Sequence, residues 1–189
     1  MKTRHLLLFA ALILTACDSD GWRTARNDSA GIAPDPQLIS EAVVQVYGAG
    51  VYGWRGAVAD HTWIAVKPVD AETYTSFQVI GWRLRGGRSV VSVSQGVPDR
   101  HWYGSAPTLY QDIRGPRATE LIPRIEEAAA SYPYDREYTM WPGPNSNSFI
   151  QWVALEVPEL ELELPWRAWG KNWMIENYAG PRRLDNTVP

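Results

Sequence analysis

The chain has a single cysteine, Cys17, and three histidines, His5, His61 and His101. One thiol excludes an internal disulfide and a cysteine zinc cluster, and leaves no cysteine nucleophile for the folded part of the chain. No Gly-x-Ser-x-Gly elbow occurs, which argues against an α/β-hydrolase. Gly170-Lys171 lacks both the upstream glycine and the following Ser or Thr of a phosphate-binding loop. No His, Asp or Glu pair has metal-ligand spacing, and nothing in the sequence asks for a cofactor. The Glu residues alternating over 159–163 read as a solvated face rather than as paired catalytic carboxylates. The formal net charge of −3 argues against a nucleic-acid partner and against a polybasic membrane surface.

What is present begins with Lys2 and Arg4, an apolar run over residues 6–14, and the small residues Thr15-Ala16 before Cys17. That run is shorter than the about 20 residues that span a bilayer, so residues 1–16 read as a cleaved signal peptide. Leu14-Thr15-Ala16-Cys17 resembles the bacterial lipobox. The resemblance implies a lipid on Cys17 as the first mature residue, and hence a membrane partner and a place in the bacterial cell envelope facing the periplasm. Asp18 resembles an inner-membrane retention signal. Removing residues 1–16 takes away Lys2 and Arg4 and no acid, so the mature chain is more acidic and a lipid, not charge, would hold it. Residues 17–38 are rich in Asp, Ser, Asn, Gly and Pro and are expected to form a flexible tether. Residues 39–180 suit one globular domain, and 181–189 a loose tail.

The pattern predicts an α+β fold, an antiparallel sheet of four or more strands packed against two or three helices. Strands are expected over 42–47, 57–67, 77–84 and 88–94, the last two joined through Gly86-Gly87 as a hairpin. In the second, His61, Trp63 and Ala65 point one way and Thr62, Ile64 and Val66 the other. Ala118, Leu121, Ile122, Ile125, Ala128 and Ala129 fit an amphipathic helix, with Pro123 kinking it or marking its first turn. Residues 157–164 suit an edge strand or an extended segment, and 171–178 a last short helix. Ten tryptophans are available both for a core and for lining a groove.

The stretch that organises this chain is Trp141-Pro142-Gly143-Pro144-Asn145-Ser146-Asn147-Ser148-Phe149. Prolines and glycine stop what precedes it, polar capping residues follow, and an apolar helical run starts at Phe149. A hydroxyl at such a helix start faces unpaired N–H donors and the positive end of the dipole. Ser146 is the candidate nucleophile there, with His61 as its base, since a serine attacks only when a neighbouring group takes its proton. His101 sits in the loop Asp99-Arg100-His101-Trp102-Tyr103-Gly104, where loop packing is its ordinary role. Trp63, Trp141, Asn145 and Asn147 are the candidate ligand-binding residues.

Asp60-His61-Thr62-Trp63-Ile64-Ala65-Val66-Lys67, Gly81-Trp82-Arg83, the Asp99–Gly104 loop and the Pro-Gly-Pro-Asn-Ser-Asn block together resemble the bacterial family catalogued as domain of unknown function 3750. More distantly, the order of parts is similar to circularly permuted papain-like hydrolases, the group of lecithin–retinol acyltransferase and NlpC-type amidases. Those place a His on an early strand and an Asn-Cys-x-x-Phe motif at a later helix start. Asn145-Ser146-Asn147-Ser148-Phe149 fits with Ser for Cys, and Gln78 on the next strand takes the place of the His-orienting residue. The resemblance implies a permuted papain-like groove with three uses open to it. These are binding a wall peptide, glycan or lipid after loss of catalysis, hydrolysis or acyl transfer at amides or esters, and scaffolding of protein partners.

The lipobox is testable directly. Wild-type protein takes up radiolabelled palmitate and fractionates with membranes, and Cys17→Ser does neither; equal labelling of both would remove the lipoprotein assignment.

Overall fold

The computed structural model describes residues 21–178. Cys17 and the expected signal peptide, retention residue and tail over 181–189 lie outside the described residues. The fold is α+β. Five strands, β1 (Val43–Gly50), β2 (Asp60–Lys67), β3 (Tyr74–Val79), β4 (Val91–Gly96) and β5 (Thr108–Arg114), form one sheet in the order β4-β3-β2-β1-β5. Every neighbouring pair is antiparallel. After the four-residue helix α1 (Gly21–Thr24) come α2 (Pro116–Ala130), α3 (Ser146–Glu156) and α4 (Lys171–Asn177).

The alternation along β2 sets the two faces. Ile64 and Val66, with Val44 and Val46 of β1, bury against Leu121, Ile125, Phe149 and Val153 of α2 and α3. Each such fully buried aliphatic or aromatic side chain contributes about 1.5–3 kcal/mol of hydrophobic stabilisation. Trp63 and Ala65 face the other way, into a smaller cluster with Val43, Tyr47 and Tyr74.

That second face is covered by a segment expected to be tether. Buried Asp99 accepts hydrogen bonds from Ser29 Oγ (2.8 Å), Ile32 N–H (2.6 Å) and Ala33 N–H (3.1 Å). Ile32, Ala33 and Ile39 then pack against the Trp63 cluster. Polar composition suggested a solvated linker; a charged acceptor with several local donors binds such a segment instead.

Other elements differ from the sequence reading in ways that have local causes. β3 starts three residues before the expected Phe77 and ends at Val79; residues 81–84, expected as its second half, lie in the 3-10 helix Gly81–Gly86, and β4 starts at Val91 rather than at 88. Gly87 closes that helix at φ 64°, a left-handed conformation suited to glycine. β5 was not anticipated, because Thr108–Arg114 mixes polar residues into its alternation at a sheet edge. Its register against β1 shifts between Val46↔Gln111 and Tyr47↔Leu109, so Tyr110 bulges out of the ladder. The Tyr110 ring then lies over Gly48, where any Cβ would overlap it. In α2 it is Pro116 that occupies the first turn, and Pro123 lies inside the helix on its solvent side, where water can satisfy the freed carbonyl. Residues 157–164 form neither strand nor extended segment at first but a short 3-10 turn, Pro158–Leu160, with Leu160 and Leu164 buried and the Glu residues outward.

Two tryptophans separate the core from the surface. Trp63 is 4 % exposed and donates its Nε1–H to Pro98 O (2.7 Å), whereas Trp82 is 49 % exposed. Trp63→Ala is expected to cost about 3–5 kcal/mol in denaturant melts. Trp82→Ala should move the midpoint far less, and equal losses would contradict this burial pattern.

Candidate functional site

The start of α3 is built by side chains that leave one hydroxyl over. Asn145 is the N-cap, and its Oδ1 accepts from the N–H groups of Asn147 (2.9 Å) and Ser148 (3.1 Å). Its Nδ2 donates to Met140 O and Trp169 O, both at 3.0 Å. Asn147 donates to Asp60 O (3.0 Å) and Trp169 O (2.7 Å) and accepts from Thr62 Oγ1 (2.8 Å). Ser148 donates to Gly170 O (2.8 Å). Both expected amide ligand-binders, Asn145 and Asn147, line the cavity that Ser146 opens onto, with their amide groups engaged within the fold. Among the described residues Ser146 Oγ makes no hydrogen bond, and Ser146 lines a cavity of about 380 Å³.

His61 lines the same cavity. By alternation its ring is on the sheet face away from α3, since Thr62 is the residue that reaches Asn147. His61 and Ser146 can both line the cavity because the β2–β3 ladder covers only Ile64–Val66 against Thr75–Phe77. Beyond it β3 turns off into the 3-10 helix at Gly81, and the first half of β2 is left open on that side. His61 Nε2 is 2.9 Å from Gln78 Oε1, and no hydrogen bond joins His61 to Ser146. With a carbonyl oxygen as its partner, Nε2 carries the proton and Nδ1 the lone pair.

Aromatic rings fix that imidazole. His61 stacks on Trp102 with centroids 3.7 Å apart and planes at 7°. Trp63 lies behind, 5.9 Å from His61 and stacked at 5.6 Å on Tyr47. Burial drives the His61 pKa down to about 4, and the Gln78 hydrogen bond raises it only in part. The ring is neutral at pH 7.

The rest of the cavity is a wall of Trp82, Trp102, Tyr138, Met140, Trp141 and Trp169. Trp141 meets Trp169 edge-on at 5.7 Å. Trp63, an expected ligand-binder, does not line this cavity; it stacks on His61 and lines a second cavity of about 370 Å³ with Gln78 and His101. His101 Nδ1 is 3.0 Å from Asp28 O, so this imidazole secures the N-terminal segment. The stacking role of Trp102 was not anticipated; the aromatic density of the Asp99–Gly104 loop was its only signal. Asp60, next to His61, is held by Arg167 (2.7 Å) and by Tyr110 Oη–H (2.7 Å), which fastens the Trp166–Gly170 segment to the mouth. Among the described residues no group of three His, Cys, Asp or Glu side chains could hold a metal.

The fold and site define an α+β domain in which a capped helix start and a ring-stacked neutral imidazole open onto an aromatic cavity. The chain belongs to the family described as protein of unknown function (DUF3750), which matches residues 41–173. Neither the curated proteins nor the solved structures give a match.

The His61 shift has a sign that can be measured. Its pKa lies below the unfolded value of 6.5, so the unfolded state binds more protons between pH 6.5 and 4 and stability falls as pH falls through that window. The loss attributable to His61 is about 3 kcal/mol. Denaturant melts of His61→Gln should show a correspondingly flatter slope over that range than wild type, and parallel slopes would contradict a buried neutral ring.

Proposed function

We propose that this is a lipid-anchored protein of the bacterial cell envelope whose cavity, built like a permuted papain-like groove, binds an amphiphilic envelope ligand without transforming it. The observation that carries this reading is the neutral His61 ring, locked between Trp102 and Gln78 and not bonded to Ser146. A general base works best with a pKa near the working pH, and a group at about 4 takes a proton from an alcohol poorly. Catalysis by the helix start is also curtailed, because Asn145 already occupies the Asn147 and Ser148 N–H groups that could face an oxyanion. What remains suits recognition. The Ser146 hydroxyl can donate to a ligand carbonyl, His61 Nδ1 can accept from a ligand N–H or O–H, and the tryptophans offer flat apolar area for an acyl chain, a sugar ring or a peptide side chain.

A second reading has one observation in its favour: Ser146 and His61 line the same cavity. In that reading Ser146 is the nucleophile of an amide or ester hydrolase or acyltransferase, His61 the base, and Gln78 the residue that orients it.

A fluorophosphonate separates the two. Binding without chemistry predicts no covalent adduct on wild type. An adduct lost in Ser146→Ala and slowed in His61→Ala would establish the hydrolase instead. On the binding reading, lysophospholipid or muropeptide fragments should shift tryptophan emission of the wild type. Ser146→Ala should weaken that titration about five- to tenfold, the loss of one hydrogen bond.

A further inference from the structure

Resting on the reading of Cys17 as the lipidated first mature residue, we propose that the aromatic mouth of the His61–Ser146 cavity is a membrane-docking face that sits at the headgroup level of an anionic bilayer. The first support is chain length. The described structure begins at Gly21, in the short helix that carries Trp22. Asp18, Ser19 and Asp20 alone separate it from Cys17. Consecutive Cα atoms are 3.8 Å apart, so a lipidated Cys17 holds Gly21 within about 15 Å of the anchor.

The second support is where that helix lies. Trp22 lines a groove of about 460 Å³ with Tyr52, Trp82, Arg85 and Tyr103. Tyr52, Trp82 and Tyr103 also line the His61–Ser146 cavity. The Trp22 helix and the cavity mouth thus share one side of the molecule, and a lipid separated from that helix by three residues would bring the mouth to the bilayer.

The chemistry of the face agrees. Trp22, Tyr52 and Trp82 are each nearly half exposed, and Met140 and Trp141 extend the rim at 60 % and 66 %. Rings with an apolar body and one polar tip are the side chains favoured where headgroups meet acyl chains. Arg55 and Arg85 stand among them, and the one carboxylate lining either cavity, Asp60, is paired with Arg167. The two linings are cationic in a chain that is acidic overall and whose link to the anchor carries Asp18 and Asp20, so the match to anionic lipid headgroups is made by Arg55 and Arg85. An exposed aromatic patch of this kind also fits a protein partner. The three-residue link to the anchor selects the bilayer.

The test uses the sole cysteine. The mature chain is coupled through Cys17 to a maleimide phospholipid and placed on phosphatidylethanolamine–phosphatidylglycerol vesicles, with or without bromine high on the acyl chains. Bromine quenches tryptophan on contact. Wild-type emission is expected to fall on brominated vesicles, and Trp22→Ser/Trp82→Ser should lose most of that quenching while keeping the wild-type melting curve. An Arg55→Glu/Arg85→Glu variant, which leaves every tryptophan in place, should also lose quenching on these anionic vesicles. Equal wild-type emission on the two kinds of vesicle, or equal quenching of wild type and both variants, would overturn the docking face. Chemical coupling replaces lipidation by the cell, so failed palmitate labelling removes the natural anchor, whereas absent quenching removes the docking face.

Discussion

One buried amide holds the site together. Asn145 meets four partners at the junction of the Trp141–Pro144 loop, α3 and the Trp169–Gly170 turn. No other side chain of its size supplies an acceptor for two helix N–H groups and two donors for separate carbonyls. Aspartate would keep the cap and lose both donors; serine would keep one acceptor and reach neither carbonyl. Each buried group left unpaired costs about 1–3 kcal/mol, a large part of the stability of a domain this size. Gly170 belongs to the same junction: it has φ +103°, and any Cβ on it would overlap the Asn145 amide. Asn147 and Ser148 then tie the same helix start to Asp60 and Gly170, so the approach of α3 to β2 is determined by hydrogen bonds rather than by packing alone.

That constraint also determines what the site can do. With Asn145, Asn147 and Ser148 taken up by the fold, the polar motif has a single member left for a ligand, Ser146. A thiol there would be a different matter, because a helix start beside an imidazole stabilises a thiolate at neutral pH. An alcohol gains no comparable ionised form and depends on its base. The base offered is an imidazole desolvated by Trp102 and Trp63, which is a good hydrogen-bond acceptor and a poor proton acceptor.

Much of this was legible in the sequence, and the legible parts share a cause. The faces of β2 follow from strict alternation over Asp60–Lys67, and the start of α3 from a stop, a cap and an apolar run in succession; both signals are local. The parts that were not legible depend on partners distant in the chain. Residues 29–33 look like a linker until Asp99 supplies their acceptor. β5 becomes a strand by pairing with β1, and its bulge at Tyr110 has meaning only because Asp60 and Gly48 lie opposite. Gln78 was placed beside His61 by the family resemblance alone, and its 2.9 Å contact across the β2–β3 pair follows from no spacing within either segment. Trp102 carries the closest ring contact to His61 from a loop whose aromatic density does not say which ring meets the imidazole.

The tryptophans show most directly that the cavity answers to something besides folding. Trp63 and Trp152 are buried, and each gives its indole N–H to a backbone carbonyl, Pro98 O and Ala128 O. Apolar area with a satisfied polar tip is sufficient structural reason for both. Trp82, Trp141 and Trp169 remain 38–66 % exposed, and none has an indole hydrogen bond among the described residues. Their area contributes little to the core and works against solubility. Yet they come from three separate segments, around Gly81, Pro142 and Gly170, and converge on the cavity that holds His61 and Ser146. Two of those segments are brought there by close glycine contacts, Gly81 against the Tyr138 ring and Gly170 against Asn145. A fold that devotes backbone positions to bringing exposed indoles together around one polar pair is shaped by what enters between them.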